Sequence, residues 1–396
     1  MKPDGWKISQ GAAAAALTWE KKKTVDVGLD FRLWDRFYGT LDWYQTVTDD
    51  VIWNAPTNYA ATGQSTLAAN SAKMRTRGFE FELGVDIIKT PDILWSFSVN
   101  GAHYKSILTE VPPGTGSDAL NGCWEANPDG WSGNWSAAGT STISNGAFYL
   151  RGVGKPYYNV YMYKYGGVDQ ATGLPLISST VTAKNIDALR ASHYVGELKE
   201  GNVVYTTNHS LATRQEIGDA TPDLLGGFST SLRYKNLDFA ATFAFQIGGK
   251  FFSNTYALYY YDDTAPGYAI SQDLRNNTWT PENKGAKYPM MIYANPNGDG
   301  YTYGASIGSW GYTDMSLFNA SYLSVKNITV GYNFPQRWMD KIGIGGIRVY
   351  ASLDNMWLIT SQSGIDPRMS LVGGIEVGAM AYPYMRTCSL GVNVTF

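Results

Sequence analysis

The sequence has little charge and few cysteines, and each shortage excludes a class of protein. Charged residues make up only 16% of the 396 residues, whereas soluble domains carry about a quarter. The net charge is −3 and no basic run occurs, so the chain lacks the electrostatic footprint of a nucleic-acid-binding protein. The two cysteines, Cys123 and Cys388, lie far apart and match neither a disulfide framework nor a zinc module.

The sequence also lacks a long hydrophobic run. No stretch approaches the roughly 18 apolar residues that a membrane-spanning helix needs, and residues 1–4 do not begin a secretory signal. A helical membrane protein is therefore excluded. A membrane β-barrel is not, because barrel strands alternate polar and apolar residues and keep the overall hydropathy near neutral.

Aromatic residues and glycine are abundant, and the apolar residues alternate. Aromatics reach 14% and there are 43 glycines, a composition typical of a chain rich in strands and turns. Period-two alternation recurs nine times, at lengths that could cross a bilayer. The predicted strands cover residues 24–33, 37–47, 78–87, 94–106, 226–235, 238–247, 322–334, 347–359 and 385–396. The seventh strand alternates regularly only in its second half, and this irregularity predicts a β-bulge within the strand.

The links between these strands alternate in length. Short links cover residues 34–36, 88–93, 236–237 and 335–346. Long links cover residues 48–76, 107–224, 248–320 and 360–384. In an up-and-down meander the short links lie at one rim and the long links at the other, as in outer-membrane barrels with periplasmic turns and extracellular loops. We therefore predict an all-β, antiparallel transmembrane β-barrel.

A secreted or surface-exposed β-sandwich that binds glycans is the alternative, because alternation alone does not separate a sandwich from a barrel. A Greek-key sandwich has no reason to alternate its link lengths. Aromatics near the strand ends favour the barrel, since they are expected to form interfacial girdles. They are Trp34, Phe37, Trp43, Tyr44, Trp95, Tyr104, Tyr234, Tyr322, Tyr332, Tyr350 and Trp357.

The odd number of predicted strands indicates that the nine strands belong to a larger barrel. Phe396 ends the last strand in phase with its apolar face, so we expect it at the periplasmic end, where the assembly machinery engages it. Because neighbouring strands of a meander run in opposite directions, the first of nine strands runs in the same direction as the last, from the extracellular side towards the periplasm. Bacterial single-chain barrels have even strand numbers and both termini in the periplasm, and open edges in lipid are costly. We expect residues 1–23 to be an extracellular lead-in and residues 24–396 the C-terminal part of the barrel.

The candidate ligand-binding residues are aromatics in the long loops. Flat rings with polar handles can stack on sugars or hold extended peptides. They are Trp124, Trp131, Trp135, Tyr259, Tyr260, Tyr261, Trp279 and Trp310. The same aromatic clustering includes Tyr157, Tyr158, Tyr161, Tyr163 and Tyr165. The alternative for any of these rings is that long loops need small hydrophobic cores of their own, which aromatics also supply.

No catalytic constellation is evident, so we predict neither an enzyme nor a cofactor. Asp262 and Asp263 are adjacent and cannot flank a glycosidic bond, so a surface-anchored enzyme, a third option, would need a carboxylate pair elsewhere. Asn295, Asn297 and Asp299 match the first half of a calcium loop, but Ser306 replaces the bidentate Glu at its twelfth position. An Asn/Gly turn is therefore favoured over a metal site.

A series of short motifs resembles the C-terminal half of the SusC/RagA-type TonB-dependent transporters of Bacteroidetes outer membranes. Residues 17–31 (LTWEKKKTVDVGLDF) are similar to the family's strand entry, and residues 74–80 to a strand start in which Arg77 replaces the usual Asn. Further similar segments follow in family order at 153–156, 163–175, 217–227, 322–335, 348–355, 364–367 and 382–396.

The resemblance implies the C-terminal part of a 22-stranded barrel, with about nine strands present and the plug absent. It implies import of oligosaccharides, or less readily peptides, across the bacterial outer membrane. The implied partners are a SusD-type surface lipoprotein, outer-membrane lipid and the TonB complex, the last through the missing N-terminal part.

Overall fold

The computed structural model describes residues 17–56, 66–111, 148–253, 255–257, 272–290, 313–362, 364–370, 374 and 384–396. Its strands, in chain order, are β1 (Lys21–Leu33), β2 (Phe37–Pro56), β3 (Thr66–Lys89), β4 (Ile93–Glu110), β5 (Phe148–Tyr149), β6 (Asn159–Met162), β7 (Tyr165–Val168), β8 (Pro175–Thr180), β9 (Tyr194–Val195), β10 (Val203–Thr206), β11 (Gln215–Asp219), β12 (Leu224–Tyr234), β13 (Leu237–Ile247), β14 (Lys250–Phe252), β15 (Leu317–Asn319), β16 (Tyr322–Asn333), β17 (Gly346–Thr360) and β18 (Thr387–Thr395). The short helices are α1 (Ile186–Arg190) and α2 (Gln336–Ile342). No helix in these ranges is long and apolar enough to span a membrane.

Nine long strands form one antiparallel sheet, in the order β1-β2-β3-β4-β12-β13-β16-β17-β18. Each strand pairs with its predecessor among the nine, which confirms the predicted meander of nine strands. In the part of the chain that the structure describes, β1 and β18 each pair with one neighbour, so the sheet is open.

The two faces of the sheet differ as the alternation predicts. Apolar side chains on one face stay exposed along successive strands, for example Val27 at 62%, Val330 at 42% and Val392 at 62%. A soluble sandwich would bury that face against a second sheet, so the exposed apolar band favours a wall that faces lipid. The other, inner face carries carboxylates, amides and hydroxyls.

The predicted girdle of aromatics divides between the two faces. Trp43, Trp95, Tyr234, Tyr332 and Trp357 are exposed and share the outer, apolar side. The prediction was wrong for four tyrosines on the inner face. Tyr44 and Tyr350 lie across glycines of the neighbouring strand, at Gly78 and Gly391. Tyr104 lines a cavity, and Tyr322 interacts electrostatically with Arg368 of the last long link.

The link predicted at 48–76 is shorter in the structure, because β2 continues to Pro56 and β3 begins at Thr66. The alternation breaks at Asp49 and Asp50, where the register between β2 and β3 shifts and Asp50 has φ 59°. A bulge reverses which residues face inward, so the continuation does not read as one alternating run.

The predicted bulge in the seventh strand of the sheet is confirmed at Lys326. Along β13, Thr242 pairs with Asn327 and Phe243 with Val325, so the register omits Lys326. The short links 34–36, 90–92, 235–236 and 334–345 all lie at one rim. Thr395 pairs with Gly346, which places Phe396, itself 96% exposed, at the same rim as the short links.

Opposite the short links, the long links fold into a compact unit. Residues 148–223 form two small sheets, β7-β8-β10-β9 and β11-β6-β5. A core of Tyr149, Val160 and Met162 also includes Phe252 of the next long link. Trp53 and Leu108, at the far ends of β2 and β4, form a second core that Tyr157 covers. The folded loops are thus anchored to the strand ends.

Candidate functional site

Most of the predicted ligand-binding aromatics lie outside the described residues. This applies to Trp124, Trp131, Trp135, Tyr259, Tyr260, Tyr261 and Trp310, and to the calcium candidates Asn295, Asn297 and Asp299. Their roles stay predictions. Trp279 is the predicted ligand residue that the structure describes.

Trp279 is partly exposed and packs on the turn that precedes β8. Its indole Nε1 donates a hydrogen bond to the Gln170 carbonyl at 3.3 Å. A Cβ on Gly173 would lie 2.4 Å from the indole ring, and Gly173 has φ 77°, so both the ring and the backbone require glycine. One face of Trp279 therefore supports the loop structure.

The tyrosines at 157–165 serve mainly as the core of the loops. Tyr157 and Tyr158 meet edge to face with ring centroids 4.9 Å apart, and Tyr158 meets Tyr149 in the same way at 5.4 Å. Tyr163 is 7% exposed, and burial raises its pKa. The core alternative therefore accounts for most contacts of these rings, and Tyr158 also lines a cavity beside the sheet.

Arg151 lies in an aromatic cage at the junction of the loops and the sheet. Its guanidinium carbon is 4.1 Å from the Tyr157 ring centroid, 5.5 Å from that of Tyr149 and 5.7 Å from that of Trp53. Arg151 is 4% exposed, and burial lowers its pKa, although Tyr157, Tyr149 and Tyr158 act in the opposite direction. Sequence reasoning missed this residue because its partners come from two distant segments. Cation–π contacts of this kind tie the loops to β2.

A cavity of about 290 Å³ lies between the inner face and the folded loops. Tyr104 and Gln246 reach it from the sheet, and Tyr158, Lys250 and Pro367 from the loops. Rings beside a few polar groups are typical of small-molecule sites. The arrangement can stack a flat sugar face or a side chain and hydrogen-bond its polar edge. The sequence offered no signal for it, since the lining comes from several strands and links that are far apart in the chain.

Two shallower concavities follow the inner face further along the strands. One, of about 360 Å³, is lined by Thr40, Asp42, Glu80, Glu82 and Asn100. The other, of about 310 Å³, shares Glu82 and Asn100. Carboxylates and amides present many hydrogen-bond acceptors to anything that passes along this face.

The histidines do not assemble a catalytic site in the described part of the chain. His209 is buried, its Nε2 lies 3.1 Å from the Pro175 carbonyl, and burial lowers its pKa. His193 lies in the loops 3.6 Å from Asp169, and His103 contacts the Asp223 carbonyl. No group of His, Cys, Asp or Glu within the described ranges could hold a metal ion.

Comparison with known proteins gives consistent matches. The family model described as "TonB dependent receptor-like, beta-barrel" matches residues 3–171. TonB-dependent receptor P3 of Formosa agariphila is 27% identical over 391 residues, and TonB-dependent receptor SusC of Bacteroides thetaiotaomicron is 26% identical over 384 residues. Both alignments cover 96% of this chain but 34% and 32% of the relatives, so the chain spans about a third of their length.

A solved structure of the RagAB peptide transporter matches in fold, with a TM-score of 0.69 at 23% identity. The match covers 96% of this chain and 36% of that chain. Together with the open antiparallel sheet and its exposed apolar face, these matches confirm the resemblance found in the sequence: residues 3–171 match the β-barrel model of the TonB-dependent receptors, and nearly the whole chain is homologous to SusC.

Proposed function

We propose that the protein to which this chain belongs imports bulky nutrients across the bacterial outer membrane with energy from TonB. The observation that carries the proposal is the two-faced sheet: an exposed apolar outer face, and a polar inner face with a cavity beneath folded loops. The apolar outer face is suited to contact with lipid, and the polar inner face is suited to a water-filled passage. In this proposal the protein performs no covalent chemistry.

The nine strands are, in this proposal, the C-terminal part of a barrel of about 22 strands. The exposed backbone edges of β1 and β18 then pair with further strands, which removes unsatisfied groups from lipid. The folded long links face the outside, and the rim with the short links and Phe396 faces the periplasm. Energy coupling resides in parts of the protein outside this chain.

Oligosaccharides are the proposed substrate class, with peptides second. Support comes from the cavity, whose lining combines the rings of Tyr104 and Tyr158 with the amide of Gln246. Aromatic faces with adjacent hydrogen-bond donors suit pyranose rings, which have one apolar face and polar edges. Peptides are the second proposed substrate class because the RagAB structure with the same fold is described as a peptide transporter.

A SusD-type lipoprotein is the proposed partner, seated on the folded loops. These loops carry their own hydrophobic cores, so they present a preformed surface. Co-purification of a surface lipoprotein with the detergent-extracted, full-length protein would support this partner. Recovery of the transporter alone under conditions that preserve outer-membrane complexes would contradict it.

Uptake by cells that carry or lack the full-length gene tests the function. We expect fluorescent oligosaccharides to accumulate only in cells with the gene and with intact TonB. Detergent dependence separates import from the sandwich alternative. A compact monomer that stays soluble without detergent would disprove the barrel and favour a surface glycan-binding protein.

A further inference from the structure

The bulge in β16 gives Lys326 an unusual position on the sheet. The pairing with β17 also omits Lys326, since Val325 pairs with Trp357 and Asn327 with Asp354. Opposite the bulge, Asn355 has φ 52°, an uncommon conformation for a residue other than glycine. Bulges re-aim side chains and are over-represented beside functional sites.

The last long link folds back onto this position through Arg368. Its Nη2 donates to Asp366 Oδ2 at 2.7 Å and its Nε to Asp366 Oδ1 at 2.8 Å. Its Nη1 donates to Ser324 Oγ at 2.8 Å. The two charged side chains are 9% and 15% exposed, so Arg368 is neutralised by Asp366 and fixed against the inner face of β16.

Among the described residues Lys326 forms no ion pair: the nearby carboxylate of Asp366 acts on it electrostatically but is paired with Arg368. Its Nζ lies 5.7 Å from the Tyr384 ring centroid, and the Arg368 guanidinium lies 4.7 Å from the same centroid. Within the described residues, Lys326 Nζ and the hydroxyls of Tyr322 and Tyr384 have no hydrogen-bond partner. Pro367 and Ser370 of the same link line the 290 Å³ cavity, so the link that contacts these donors through Arg368 also borders the cavity.

We propose that Lys326, with the hydroxyls of Tyr322 and Tyr384, binds an oxyanion, either carboxylate or sulfate, carried by the imported substrate. An ammonium and two hydroxyls can each donate a hydrogen bond to an oxyanion, and the ammonium also balances its negative charge. The biological role rests on the proposed import function, but the site itself does not. The substrate class is thereby narrowed to nutrients with an acidic group, such as uronic-acid or sulfated oligosaccharides.

Selenate, an anomalous scatterer with the geometry of sulfate, is the probe. Crystals of the full-length protein with its lipoprotein partner are soaked in sodium selenate, for the wild type, Lys326→Met and the matched control Lys341→Met in α2. We expect an anomalous peak beside Lys326 in the wild type and the control, and none in Lys326→Met. An empty site, or a peak that persists in Lys326→Met, overturns the proposal. So does a carboxylate from another part of the polypeptide bound to Lys326.

Uptake of two oligosaccharides of equal length, one of uronic acids and one neutral, tests the role in transport. Lys326→Met should lower uptake of the acidic sugar about tenfold and leave the neutral sugar unchanged, because a hydrogen bond to a charged group is among the strong ones. An equal loss for both sugars contradicts the proposal. If the wild type imports neither, import is disproved while the selenate map still decides the site.

Discussion

Replacement of Gly78 by alanine tests the packing of tyrosine rings on the inner face. A Cβ at Gly78 would lie 2.3 Å from Tyr44 Cζ, whereas ordinary contacts begin at 3.4 Å. The ring must therefore move by about 1 Å, and overpacking of this kind costs roughly 1–3 kcal/mol. Alanine at an unobstructed strand position instead gains about 0.5–1 kcal/mol. We expect Gly78→Ala to lower the free energy of unfolding by about 1–2 kcal/mol.

Gly346→Ala is the matched control, because nothing lies within 4 Å of a Cβ at that strand position. Urea unfolding of the full-length protein in lipid vesicles, followed by the heat-modifiable shift on gels, measures the free energy. The same Gly78→Ala change in a Tyr44→Ala background should cost little, since the ring is gone. An equal cost with and without Tyr44, or an equal cost at Gly346, would refute the steric reasoning.

Three further predictions concern the outer face, the chain end and the loops. Val330→Arg should destabilise the protein in lipid by roughly 2–4 kcal/mol if it lies near the midplane, while Ala240→Arg, on the inner face of the adjacent strand, should change it little; equal effects would contradict the lipid-facing assignment. Phe396→Ser should lower the outer-membrane level of the full-length protein, and normal levels on immunoblots would count against the proposed periplasmic end. Burial lowers the pKa of His209 below its ordinary 6.5, so its stabilisation is present above pH 6.5 and lost as pH falls further; hydrogen-exchange protection of β8 and β10 should drop below pH 6.5, and a drop that persists in His209→Gln would exclude this residue as the cause.

Alternation sufficed to predict the nine long strands, because side chains that face lipid and lumen differ in polarity at every second residue. It did not reveal the continuation of β2 past Asp50, since a bulge exchanges the two faces. Likewise, the inward tyrosines could not be separated from girdle aromatics. Tyr44 is fixed by Gly78 on the next strand, and that pairing depends on a register that one strand's sequence does not contain.

The candidate site was less predictable for the same reason. Arg151 contacts rings from β2 and from its own loop, and the cavity is lined by residues as far apart in the chain as Tyr104 and Gly374. Such juxtapositions arise from long-range packing, which composition does not encode. Trp279 could be singled out as a loop aromatic, but its contact with the Gly173 turn could not.

The hydrophobic cores within the folded loops have a consequence for binding thermodynamics. A disordered loop loses conformational entropy when it closes on a ligand, which weakens the observed affinity. Here Met162, Leu189 and Val204 are fully buried, so that entropy has already been lost during folding. A partner or substrate that meets this surface therefore binds a rim whose shape is set in advance, and more of the contact free energy remains as affinity.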